Sequence, residues 1–117
     1  MSLQKGLVAE QQVKQYLSEQ GLLWLASNYR CRVGEIDLIM NDHQHLVFVE
    51  VRARSSKAFG SALETVTYAK QQKIIKAALH FMLVHKQYNH WPARFDVVSL
   101  QGELKQIEWV KNAFFAE

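Results

Sequence analysis

A short, nearly unbroken run of β-branched and aromatic residues limits most strongly what this chain can fold into. Residues 46–51 have the sequence LVFVEV, in which only Glu50 interrupts the apolar side chains. A strand that is apolar on both faces needs cover on both sides, as in a sheet with helices on each face. The run therefore predicts a covered strand of a layered α/β domain. It also makes the carboxyl group of Glu50 costly unless that group is paired or bound to a cation.

Hydrophobic periodicity places two helices and four further strands around this run. The predicted elements are a helix over residues 5–20, strands over 22–29, 35–40 and 46–53, a helix over 61–85, and strands over 94–100 and 105–111. Gly21 ends the first helix. The turn-forming residues 41–44 predict that the second and third strands form a hairpin. The order α-β-β-β-α-β-β indicates one α/β domain over residues 1–117.

Composition excludes several classes of protein. The chain has 117 residues, 49% of them hydrophobic, which is enough for one packed core. Its single cysteine, Cys31, excludes an intrachain disulfide and a multi-cysteine zinc site. The apolar runs are too short to span a membrane, and the N-terminal segment becomes polar too soon for a secretory signal. We therefore expect a cytoplasmic protein with no membrane partner.

The positions of the charged residues along the chain are more informative about binding than the net charge. Lys and Arg number 14 against 11 Asp and Glu, a net charge of +3, which permits binding of nucleic acid without requiring it. Eight of the basic residues form three groups, which are Arg30 and Arg32, then Arg52, Arg54 and Lys57, then Lys70, Lys73 and Lys76. Acidic residues lie among them at Glu35, Asp37 and Glu50. These acids would weaken a simple phosphate-binding surface, but they are useful if a cation binds to them.

Asp37 and Glu50 are the two acids that the predicted hairpin could bring together. Like charges on neighbouring strands destabilise each other, and a hard divalent cation such as Mg²⁺ would relieve that repulsion. The alternative is that both acids are solvated side chains of a half-exposed hairpin. Spacing alone does not decide between the two interpretations. The position of Glu50 inside an apolar run favours the cation.

Lys70 is a second anomaly, because on a helical wheel it lies inside the apolar stripe of the second helix. Lysine is rarely buried without a partner. One interpretation, slightly favoured by the residues alone, is that its chain follows the apolar surface until the ammonium reaches water. The other is that the ammonium reaches the carboxylates or a substrate phosphate.

Several stretches of the sequence resemble one known family. They are residues 28–39 (NYRCRVGEIDLI), residues 48–54 (FVEVRAR), Phe59-Gly60, Lys70-Gln71 and residues 94–98 (RFDVV). Together they resemble the YraN family, also called UPF0102, which is regarded as similar to the archaeal Holliday-junction resolvases and the PD-(D/E)XK nucleases. The resemblance implies a restriction-endonuclease-like domain, with a central mixed sheet flanked by helices. It also implies a Mg²⁺- or Mn²⁺-dependent endonuclease that hydrolyses DNA phosphodiesters, in branched DNA and as a homodimer.

The roles that the resemblance implies can be assigned by position. The motif aspartate falls on Asp37 and the motif glutamate on Glu50, both as metal ligands, with the Val51 carbonyl as a third ligand. A first-helix glutamate of resolvase-like members matches Glu10, which lies at the border of that helix's apolar stripe. Phosphate contacts are expected from the nearby basic residues Arg30, Arg32, Arg54, Lys57 and Lys73.

The motif lysine falls on Arg52, and here the chain departs from the family pattern. Arginine stays protonated and cannot act as a general base, although it can stabilise charge on a phosphate. Our hypothesis is that Arg52 acts electrostatically and that Lys70 supplies the missing amine. The departure also supports a different class of function, a catalytically silent DNA-binding or adaptor protein on the same fold. An RNA substrate is a third alternative that the sequence leaves open.

Overall fold

A computed structural model of the protein describes residues 3–54, 63–102 and 106–116. The main elements are α1 (Leu3–Glu19), β1 (Leu23–Cys31), β2 (Gly34–Asp42), β3 (His45–Arg54), α2 (Tyr68–Val84), β4 (Ala93–Gln101) and β5 (Gln106–Phe114). Short 3-10 turns cover Leu63–Thr65 and Lys86–Tyr88. The predicted order α-β-β-β-α-β-β is confirmed. Lys105, the first residue of the last predicted strand, lies outside the described residues.

The five strands form one mixed sheet in the order β1-β2-β3-β4-β5. β3 and β4 run parallel, and the other neighbouring strands run antiparallel. One apolar cluster joins Phe48 of β3 to α2, and a second joins Val47 and Val49 to α1. Residues 46–50 are all buried, because helices cover both faces of this central strand. The layered α/β architecture is therefore confirmed.

The β2–β3 hairpin turns on only two of the four predicted turn residues. His43 and Gln44 have φ angles of 52° and 68°, so both adopt the left-handed conformation of a type I′ hairpin turn. Asn41 supports this turn, because its Oδ1 accepts a hydrogen bond of 2.8 Å from the backbone N–H of Gln44. The two-residue turn sets the register that places Leu38 opposite Val49.

The second helix begins later than the apolar pattern predicts. Residues 61 and 62 lie outside the described residues, and residues 63–65 form a 3-10 turn. Thr67 is the N-cap of α2, with an extended backbone and a side-chain oxygen that accepts a hydrogen bond of 3.2 Å from Lys70 N–H. Val66 is buried but precedes the helix, so it continued the apolar stripe without being helical. Lys70 is therefore in the first turn of α2.

A close contact at Gly34 sets the distance between β2 and α2. A Cβ atom added at Gly34 would lie 2.7 Å from the carbonyl oxygen of Lys73. Real Cβ atoms do not approach backbone oxygens this closely, so the absence of a side chain lets β2 start directly against the helix. This approach positions the first turn of α2 over the strands that carry Asp37 and Glu50. Neither helix, over the residues that are described, is long and apolar enough to cross a membrane.

Candidate active site

The site lies where β2 and β3 stop pairing. Leu38 and Val49 are the last paired positions between the two strands, although both strands continue beyond them. Past this point the Asp37 side chain replaces the missing backbone acceptor, and its Oδ2 accepts a hydrogen bond of 2.8 Å from Val51 N–H. The carboxyl group of Asp37 is therefore held in the fork between two diverging strands.

Asp37 and Glu50 are in direct contact through a hydrogen bond between their carboxyl groups. Burial raises the pKa of Glu50 to about 8, and the neighbouring charge of Asp37 contributes to the same rise. Burial also raises the pKa of Asp37, although the hydrogen bond from Val51 N–H opposes this rise. Near neutral pH a proton therefore stays on Glu50, because the pair cannot hold two negative charges in a desolvated position.

Two cationic side chains face Glu50. Nη2 of Arg52 lies 3.3 Å from Glu50 Oε2, and Nζ of Lys70 lies 4.0 Å from the same atom. The Lys70 side chain is 34% exposed and that of Glu50 only 5%. The Lys70 ammonium thus lies near the Glu50 carboxyl group while part of its side chain remains in contact with solvent. This position agrees with the interpretation in which the ammonium reaches the carboxylates.

Glu10 approaches the pair from α1. Burial raises its pKa, the charge of Asp37 adds to the rise, and a hydrogen bond with Asn28 opposes it. Its Oε1 is buried and has no hydrogen-bond partner. Yet in the described ranges no three His, Cys, Asp or Glu side chains are arranged closely enough to hold a metal ion. The pair of Asp37 and Glu50 therefore carries the metal hypothesis. Ligation by Glu10 and by the Val51 carbonyl stays a prediction.

A protein-family model matches the part of the chain that contains this site. The model described as "Uncharacterised protein family UPF0102" matches residues 9–100, which include every side chain of the site described above. This chain belongs to the UPF0102 family. The matched segment ends before β5, which begins at Gln106.

Relatives from several bacteria share this UPF0102 sequence over almost its full length. The UPF0102 protein of Legionella pneumophila strain Philadelphia 1 is 51% identical over 116 residues, covering 99% of this chain and 98% of the relative. The UPF0102 protein of Saccharophagus degradans is 53% identical over 109 residues, covering 93% and 91%. That of Nitrosomonas europaea is 48% identical over 111 residues, covering 94% and 92%. The names of these relatives state the family and no activity.

The predicted phosphate-binding residues of this UPF0102 protein do not all lie together. Arg30, Arg32 and Lys73 line one cleft between the β1–β2 turn and α2, which Lys70 also lines. Arg54 is the last residue of β3, where it pairs with Gln101 of β4, and it does not line that cleft. Lys57 lies outside the described residues, as do Phe59 and Gly60.

Sequence reasoning missed Asn28, which contacts Glu10. Asn28 has a φ angle of 53°, in the left-handed region that asparagine tolerates better than most residues. It lies on β1, and its side chain lowers the pKa of Glu10 on α1, which opposes the effect of burial. The only available signal was an asparagine at the start of the motif stretch of residues 28–39, which does not by itself indicate a contact with the first helix.

Asp96 belongs to a separate, structural network. Its oxygens accept hydrogen bonds from Arg94 Nε at 3.1 and 3.2 Å, from Trp109 Nε1 at 2.9 Å and from Asn112 N–H at 3.0 Å. Nη1 of Arg94 also donates to Asp42 at 2.8 Å. These bonds join β4 to β5 and to the end of β2. We infer that this buried aspartate stabilises the sheet, since its oxygens are already used by donors.

Proposed function

We propose that this protein is a divalent-metal-dependent endonuclease that hydrolyses phosphodiester bonds in DNA, with Asp37 and Glu50 as its metal ligands. The observation that carries the proposal is the contact between the buried carboxyl group of Glu50 and the half-buried one of Asp37, a pair that keeps a proton near neutral pH. Such a pair is unfavourable without a cation, and it lies beside two basic side chains. This is an arrangement that suits the chemistry of phosphate transfer.

The donor atoms of the site fit a hard divalent cation. Mg²⁺ and Mn²⁺ prefer carboxylate and carbonyl oxygens, and Mg²⁺ usually retains water with only one or two protein carboxylates. Oε1 of Glu10, a residue whose pKa the charge of Asp37 raises, is a further buried oxygen without a hydrogen-bond partner. When bound, the cation would neutralise charge on a phosphate and make water more acidic.

Arg52 and Lys70 supply positive charge at the same carboxylate. Arg52 stays protonated, so its role in this proposal is to bind phosphate oxygens and to stabilise the charge that develops on them. Lys70 has an amine that can exchange a proton, and its Nζ lies 4.0 Å from Glu50 Oε2. The helix start capped by Thr67 holds it there. Lys70 is thus our candidate for the amine that Arg52 cannot replace.

One observation favours a second candidate function, a catalytically silent DNA-binding or adaptor protein. Arg52 occupies the position of the motif lysine and lies 3.3 Å from Glu50 Oε2. Together with Lys70 it could neutralise Glu50 with no metal present. In that case the basic surroundings would bind DNA without hydrolysing it.

The finer aspects of the proposal rest on the resemblance to resolvases. These aspects are a preference for branched DNA and action as a homodimer, because a junction offers two symmetric positions for cleavage. A cytoplasmic location is part of the same proposal. RNA is the competing substrate, since no group in the site is assigned to a 2′-hydroxyl.

Cleavage assays separate these functions. The purified protein is incubated with branched DNA, linear DNA and RNA, with Mn²⁺ or with EDTA. We expect Mn²⁺-dependent cutting of DNA by the wild type and none by Asp37→Asn or Glu50→Gln. Glu19→Gln, which changes an exposed glutamate at the end of α1, is the matched control and should cut normally. Binding of DNA without any cutting would support the silent alternative, and cutting by Asp37→Asn would contradict the proposed ligands.

A further inference from the structure

A cleft of about 420 Å³ opens beside the carboxyl pair. One wall is the β1–β2 turn, with Arg32 and Val33 at its tip, and the other wall is the start of α2. Lys70 lines this cleft and also lies 4.0 Å from Glu50 Oε2. The cleft therefore adjoins the candidate active site, because the Lys70 side chain belongs to both.

The cleft concentrates much of the positive charge of a weakly basic protein. Four of its lining residues are basic, namely Arg30, Arg32, Lys70 and Lys73, and one is acidic, Glu35. Nε of Arg30 is paired with Glu35 Oε2 at 3.1 Å and Nζ of Lys70 lies 4.0 Å from Glu50 Oε2, so Arg32 and Lys73 are the two remaining cations of the lining. The whole chain has a net charge of only +3, so this density of charge indicates a polyanionic ligand.

The described lining has no aromatic or amide side chain, the types that stack on bases or pair with adenine. The remaining described lining residues are Cys31, Val33 and Gly34, so no aromatic ring and no amide side chain lines the cleft. Single-strand-binding proteins hold bases on aromatic rings, and base edges are read mainly by bidentate side chains such as Asn, Gln and Arg. Lysine and exposed arginine in an open cleft bind phosphate groups instead, and such contacts carry no sequence information.

We propose that this cleft binds the sugar–phosphate backbone next to the phosphate that is cut, so that the protein holds nucleic acid without regard to its sequence. The inference rests on the proposed function, since it assigns the substrate contacts of the same site. It adds that the chain enters between the β1–β2 turn and α2, and that Arg32, Lys70 and Lys73 each contact phosphate. Any choice of substrate then depends on the shape of the nucleic acid.

Binding in EDTA tests this inference without any cleavage. Fluorescence anisotropy is measured with labelled oligonucleotides of several unrelated sequences over a range of KCl concentrations. The double variant Arg32→Ala/Lys73→Ala removes two exposed charges from the cleft. We expect its affinity to fall about tenfold or more on every sequence. We also expect the slope of log affinity against log salt to become shallower by between about one and two, the share of two phosphate contacts.

Two further variants make the test specific. Lys86→Ala/Lys111→Ala removes the same charge far from the cleft, after the end of α2 and on β5, and should bind within about twofold of the wild type with an unchanged salt slope. Arg32→Lys/Lys73→Arg keeps the charge in the cleft and should restore both affinity and slope.

Three results would overturn the inference. They are wild-type affinity in Arg32→Ala/Lys73→Ala, an equal loss in the distant double variant, and affinities that differ strongly among unrelated sequences of one length and shape. Because EDTA removes the metal from every sample, these results are independent of catalysis. A protein that binds as expected but never cuts would leave the cleft in place and contradict the nuclease proposal alone.

Discussion

Nζ of Lys70, in the first turn of α2, lies 4.0 Å from Oε2 of Glu50 on the central strand β3. This contact joins the helix layer to the sheet at the place where β2 and β3 separate. It also places an amine beside a carboxyl group whose pKa is raised to about 8 by burial and by Asp37.

Glu50 should destabilise the metal-free protein at high pH. Its pKa is near the ordinary value in the unfolded chain and raised in the folded one, so its contribution to stability is present below about pH 4.5 and lost as pH rises toward about 8. Glu50→Gln cannot ionise and should escape this loss. In EDTA at about pH 9 we expect it to unfold several degrees above the wild type, a gain on the order of 2 kcal/mol.

Thermal unfolding followed by circular dichroism from about pH 5 to about pH 9 measures this difference. The gap between Glu50→Gln and the wild type should be small at the acidic end and widen as pH rises. Glu19→Gln, at an exposed position, should follow the wild type throughout. A gap that is constant or narrows with pH would show that Glu50 ionises without cost in the folded protein.

Mn²⁺ should stabilise the wild type, and more strongly at higher pH. A ligand that binds only the folded state adds about 2.7 kcal/mol at a concentration one hundred times its dissociation constant. The cation must displace the proton held by Glu50, and this displacement becomes easier as pH approaches about 8. Differential scanning calorimetry with Mn²⁺ or EDTA should show a shift for the wild type and none for Asp37→Asn. An equal shift in Asp37→Asn would mean that the ion binds elsewhere.

Lys70→Ala should reduce metal-dependent cleavage by about a hundredfold or more, as expected for loss of a group that assists proton transfer or stabilises phosphate charge. Lys76→Ala, an exposed lysine on the same helix, is the control and should cut normally. Arg52→Lys, which restores the motif residue, should keep or raise activity and make cutting less dependent on Lys70. Unchanged rates in Lys70→Ala would remove this lysine from the mechanism.

Gly34→Ala should move α2 away from the sheet. The added Cβ would lie 2.7 Å from the carbonyl oxygen of Lys73, so the backbone of one element must shift. We expect a loss of about 1–3 kcal/mol in the free energy of unfolding, the usual cost of overpacking. We also expect lower cleavage, because Lys70 lies on the displaced turn. Urea denaturation measures the first effect.

Gly6→Ala is the matched control for this change. Gly6 lies in α1, and nothing lies within 4 Å of an added Cβ atom. Alanine is a better helix former than glycine by roughly 1 kcal/mol, so this variant should be as stable as the wild type or more stable. If both alanine variants behaved alike, the close contact between β2 and α2 would not hold the site in place.

The central strand could be predicted from sequence because a run that is apolar on both faces has few other solutions. The start of α2 could not, since Val66 continues the apolar pattern from a buried position outside the helix. A helical wheel showed that Lys70 was unusual. Its distance from Glu50, however, depends on how closely Gly34 lets the helix approach β2, which is a property of the packed structure.

The contact between Asp37 and Glu50 could be predicted from the sequence only in part. The sequence offered turn residues at 41–44 but not which two of them form the turn, and a shift of one residue would move the strand's side chains to the other face. The two-residue turn at His43 and Gln44 sets the register, and the hydrogen bond from Gln44 N–H to Asn41 Oδ1 supports this turn. Glu10 matches the first-helix glutamate of the resolvase-like members. Only the packing of α1 on the sheet, however, brings its charge near Asp37.

The most direct test of the central claim is a crystal of the protein soaked in Mn²⁺ and measured for anomalous scattering. If Asp37 and Glu50 share a divalent cation, an anomalous peak will lie between their carboxyl groups, about 2.0–2.3 Å from an oxygen of each. The same soak of Glu50→Gln should lose that peak. A wild-type crystal with saturating Mn²⁺ and no peak between these two side chains would contradict the account.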